Sequence, residues 1–76
     1  MIAAISCITE SGDSYLFMYE GELYRDIVEQ FVLDMGEELA YVCDYDVLCD
    51  KGTDSIIKGI TQKIEEVQQL EDGFYD

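Results

Sequence analysis

The chain has 76 residues, enough for one domain, and a domain of this size buries only about 60% of the surface its unfolded chain exposes. Its 18 Asp plus Glu against 4 Lys plus Arg give a formal net charge of −14, beyond the roughly 2 to 8 that keeps a small domain soluble. There is no apolar run of about 18 residues to span a membrane and no basic-then-apolar leader, so a cytoplasmic protein without membrane contact is expected.

Apolar residues make up 49% of the chain and fall in periodic blocks, which predicts a fold and not disorder. Residues Met1 to Thr9 (MIAAISCIT) suit a strand buried on both faces. Glu10 to Asp13 form a turn, and the aromatic run Ser14 to Tyr19 completes a hairpin. From Glu22 the spacing of Leu23, Tyr24, Ile27, Val28, Phe31, Val32 and Met35 predicts a helix, ended by a left-handed Gly36. Leu39 to Leu48 reads as a third strand, with a helix as the competing reading. Thr53 or Asp54 can cap a second helix whose apolar stripe is Ile56, Ile57, Ile60, Ile64, Val67 and Leu70, slightly weakened by Gly59. The acidic tail, Glu71 to Asp76, is expected to fray unless Phe74 or Tyr75 docks. The order is ββαβα, in one small α+β domain with a short antiparallel sheet against two helices.

Little in the sequence suggests chemistry. The three cysteines (Cys7, Cys43, Cys49) are an odd number without close pairing or any histidine to complete a zinc site, so they are expected to be reduced, with Cys7 and Cys43 in the core. A calcium loop started at Asp44 would need a ligand at Leu48, glycine at Cys49 and glutamate at Ser55, and all three fail. With no histidine base, nucleophile elbow or P-loop, no enzyme, metal or cofactor is expected. Asp54-Ser55-Ile56 resembles the Asp-Ser-Leu of acyl carrier proteins, but over those three residues alone. That family is a four-helix bundle, whereas this chain opens with strands.

The carboxylates themselves remain. Phosphates of one DNA strand follow each other some 6 to 7 Å apart along the backbone. Alternate residues of a strand stand about 6.6 to 6.8 Å apart on one face, as Asp44 and Asp46 would. Residues four apart on a helix rise about 6 Å, as Glu22 and Asp26 would, with Glu29 close to the same row. Solvated faces explain most single acidic residues, but not the excess. In size, charge and carboxylate spacing the chain resembles the small phage and mobile-element DNA mimics, which share no sequence motif and no single fold.

What the resemblance implies is a protein that never touches nucleic acid directly. It would occupy the DNA-binding surface of a host protein during host takeover: an HU-like nucleoid protein, uracil-DNA glycosylase, a restriction enzyme or a CRISPR effector. The expected contact residues are Glu22, Asp26, Glu29, Asp44 and Asp46. Two other readings stay open: an acidic regulator or subunit that binds a basic protein without competing with DNA, and an ordinary protein of a halophile. A homodimer is also expected, because so small a core leaves a sheet edge or the Tyr15 to Tyr19 aromatics in need of cover.

Overall fold

A computed structural model describes residues 1–74, with side chains through residue 69. Strands β1 (Ile2–Thr9) and β2 (Ser14–Glu20) precede helix α1 (Tyr24–Met35); a 3-10 segment (Gly36–Tyr41), strand β3 (Val42–Cys49) and helix α2 (Thr53–Phe74) follow. This is the ββαβα order and the small α+β class that the periodicities predict. β1 and β2 form the expected hairpin, paired from Ile2↔Glu20 to Ile8↔Ser14. β3 adds antiparallel to the far side of β1, giving the sheet order β2-β1-β3. β2 and β3 are thus parallel to each other, and the chain passes from one to the other through α1.

Both helices cover the same face of the sheet, α1 against β2 and α2 against β3, and they also pack on each other. The core lies in that single layer, with Ile5, Ile27, Phe31, Leu39, Ile56 and Ile60 among its fully buried side chains. β1 corrects the reading of a strand buried on both faces: Ala3, Ile5, Cys7 and Thr9 are buried, whereas Ile2, Ser6 and Ile8 are exposed. The described residues supply no second layer to cover the outward side chains of even an apolar central strand.

The helix boundaries have local causes. α1 begins at Tyr24 and not at Glu22, because Leu23 is extended (φ −120°, ψ 153°) and its N–H donates to the Asp26 carboxylate at 3.1 Å. That contact closes the first turn and places a negative charge at the positive end of the helix. α1 ends at Gly36, whose positive φ of 54° is open to glycine at little cost. The chain there tightens into the 3-10 segment, which buries Leu39 and Ala40, so the third strand starts at Val42 and not at Leu39. At α2 the Gly52 carbonyl accepts the Ile56 N–H at 3.1 Å, so Thr53 and Asp54 lie inside the first turn and are not the cap. The Ile56, Ile60 and Ile64 stripe is buried as expected, Val67 is half-buried, and Ile57 sits at its exposed margin. α2 continues to Phe74, so residues 71–74 are helical where fraying is expected. The expected contributions of Leu70, Phe74 and Tyr75 to packing lie outside the described residues.

Candidate interaction surface

The placement of Asp44 and Asp46 depends on one irregularity in β3. Val42 is buried opposite Thr9, and strict alternation from Val42 would turn Asp44 and Asp46 toward the core. The ladder instead pairs Thr9 with Val42 and Ile8 with Asp44, leaving Cys43 as one extra residue, a β-bulge. The phase shifts by one residue. Tyr45, Val47 and Cys49 then point toward α2, while Asp44, Asp46 and Leu48 stand on the open face. The bulge also corrects the expectation that Cys43 packs in the core. Its thiol is exposed and donates to the Ile8 carbonyl at 3.3 Å, whereas Cys7 is buried as expected. Tyr45 holds the strand to α2 by donating to the Ile57 carbonyl at 2.9 Å and pairing with the Thr61 hydroxyl.

The five residues singled out from the sequence do not form one array. Asp44 and Asp46 are exposed alternate residues on the open sheet face, as the strand reading requires, and one oxygen of Asp46 accepts the Val47 N–H at 3.0 Å. Glu22 precedes α1, so the helical row that would join it to Asp26 is not formed. Asp26 is half-buried and engaged at the helix start. Glu29 is exposed on the helical layer, beside the groove between α1 and α2 that Arg25 and Lys63 also line. The strand pair and Glu29 thus belong to opposite layers, and no flat surface can engage both.

The electrostatics divide in the same way. Arg25 lies in α1, Lys58 and Lys63 lie in α2, and Lys51 lies in the turn after β3, so none of the three strands contains a cationic residue. Among the described residues one ion pair forms, Lys63–Glu66 at 3.6 Å on the exposed side of α2, and such pairs contribute little. Just past β3, Asp50 accepts the N–H groups of Ile2 at 3.3 Å and Lys51 at 3.0 Å. The Ile2 contact foremost, with the Cys49 thiol next, holds its carboxyl below the ordinary aspartate range.

The sequence reading missed the apolar part of this face. Leu16, Met18, Leu48, Ile2 and Ile8 all point outward and are exposed. In the ladder, Met18, Ala4 and Leu48 form one row across the three strands, and Leu16, Ser6 and Asp46 form the next. An apolar alternate set is the available signal, but in β1 and β2 the inward set is apolar as well, so alternation alone does not tell an open face from a buried one. Among the described residues, no group of three or more potential metal ligands converges, and no helix is long and apolar enough to cross a membrane. No known protein family, curated protein or solved structure matches the chain.

Proposed function

We propose that this domain is a cytoplasmic interaction protein that lays its carboxylates on the DNA-binding surface of a basic protein and competes with DNA there, an HU-type nucleoid protein being the simplest such target. The observation that carries the reading is uncompensated charge: a net −14, with Asp44 and Asp46 exposed on alternate positions of a strand and strands that hold no cation. Alternate strand residues match the phosphate repeat to within about 1 Å. Charge-assisted contacts to Lys and Arg would supply the affinity, and phosphate imitation carries no base-specific information.

The test is displacement. A labelled DNA duplex bound to purified HU-type protein should be released as this domain is added, in proportion to the domain's own binding. Binding without release would favour the second reading, an acidic regulator or subunit that leaves the DNA in place. That reading draws on the short length of the carboxylate row, which has two members on the sheet and none in register on α1. No binding at low salt would reject an HU-type target.

A further inference from the structure

We infer that the open face of the sheet is the docking surface, and that its occupant is a basic protein surface with an apolar centre bordered by Lys or Arg. This deepens the reading above and rests on its claim of a basic partner.

Leu48 is 77% exposed, Leu16 71%, Met18 68%, Ile2 54% and Ile8 47%, all on one side of three paired strands. Scattered apolar residues on a surface are ordinary, but a contiguous patch with a polar border marks a contact site. Here the Met18–Ala4–Leu48 row is wholly apolar, and the carboxylates of Asp46 and Asp44 stand beside it on the next two rows along β3. Glu20 closes the opposite corner, across from Ile2.

The dimensions favour a mixed contact. From Ile2 to Ile8 the strand runs about 20 Å and the outer strands lie about 10 Å apart, so the footprint is on the order of 200 Å². A standard interface buries about 800 Å² on each partner. The apolar area is therefore too small to hold a partner alone and is placed to be the centre of a larger contact whose rim is charged.

Charge selects the occupant. A second copy on this face would bring Glu20, Asp44 and Asp46 of both chains onto an apolar surface, and the strands hold no cation to pair them. Desolvated like charges oppose that dimer. Nucleic acid and anionic lipid are repelled for the same reason. A surface of opposite charge around an apolar centre satisfies both halves of the face.

Two synthetic helical peptides of 18 or so residues and equal positive charge serve as probes, one with Leu and Lys segregated on opposite faces and one with each Leu replaced by Gln. The proposal expects the Leu/Lys peptide to bind about tenfold more tightly and to keep measurable affinity in 0.5 M salt. The Leu16→Ser/Met18→Ser variant should lose that preference, as should Leu48→Ser. The control Leu33→Ser, which removes an exposed side chain from α1, should keep it. Circular dichroism identifies any variant that fails to fold, and Leu48→Ser on a different strand then decides. Equal binding of both peptides at low salt, lost at high salt, would overturn this inference while leaving the charge-based reading intact. Binding of neither peptide would overturn both. A dimer dissociated by Leu16→Ser/Met18→Ser, seen by sedimentation, would assign the face to a second copy and overturn the proposal.

Discussion

At Gly59 α2 packs tightly on α1: a Cβ built there would lie 2.9 Å from Cγ2 of Val28, a buried and rotationally stiff side chain. Alanine would gain up to about 1 kcal/mol of helix propensity and lose about 1 to 3 kcal/mol to overpacking. Gly59→Ala is therefore expected to destabilise by about 1 kcal/mol in urea unfolding, and a stabilised variant would contradict this packing. Tyr19 offers a second test at this scale. Its hydroxyl donates to the Asp34 carboxylate at 2.6 Å. Burial first, then this bond and the Asp34 charge, push the phenol well above its ordinary value near 10. Above that pH the unfolded phenol ionises while the folded one keeps its proton, so the folded state binds more protons and stability falls as pH rises. The contribution is complete below pH 10 and declines above it. Tyr19→Phe should cost about 0.5 to 1.5 kcal/mol at pH 7 and should flatten the decline between pH 10 and 11. An unchanged slope would mean that this phenol is not the group responsible.

At the scale of elements, what the sequence made legible followed the strength of each period. α1 and the Ile56, Ile60 and Ile64 stripe of α2 were readable because polar residues separate their apolar positions at helical spacing. The hairpin was readable from its turn cluster. β3 was harder for two reasons. The 3-10 segment continues the apolar run through Leu39 and Ala40, which moves the apparent start of the strand, and the bulge at Cys43 breaks the alternation on which strand reading depends. The same bulge aims the acidic pair outward, so that pair was found from spacing alone, without the cause of its orientation. Helical spacing alone suggests a free row of Glu22 and Asp26, but capping geometry takes Asp26 for the first turn. The bulge has a direct test. Deleting Cys43 removes the extra residue, so that Val42 opposite Thr9 is followed directly by Asp44 opposite Ile8, and simple alternation then keeps Asp44 and Asp46 on the open face. The deletion protein is therefore expected to keep a cooperative thermal transition by circular dichroism, and Cys43→Ser, at an exposed site, should stay within about 0.5 kcal/mol of the parent. A deletion protein with no cooperative transition would show that Cys43 sets the register of β3 and is not a simple extra residue.

Across the whole molecule, charge acts in two opposed ways. With a net −14 on 76 residues, the folded domain repels itself, and added salt relieves that repulsion more in the compact state than in the expanded one. Melting temperature should therefore rise between 0.05 and 0.5 M sodium chloride. Affinity for a basic partner should fall over the same range. A melting temperature that did not rise would mean that the carboxylates are better compensated than the one described ion pair suggests.

Because acidic residues are separated between the two layers, one comparison tests whether the sheet carboxylates do the docking. Asp44→Asn/Asp46→Asn and Glu22→Gln/Glu29→Gln each remove two negative charges from exposed positions, so total charge is matched and only location differs. In the DNA-displacement assay on an HU-type protein at a single fixed salt concentration, the strand double variant should weaken binding by about 1 to 3 kcal/mol. Charge-assisted contacts to Lys or Arg run about 1.5 to 3 kcal/mol each, and exposed ones less. The Glu22/Glu29 variant should shift the midpoint of release by no more than about twofold, the shift expected of a loss of general attraction alone. Equal shifts in the two variants, with circular dichroism confirming that both remain folded, would rule out docking through the sheet face, because total charge alone would then set the affinity.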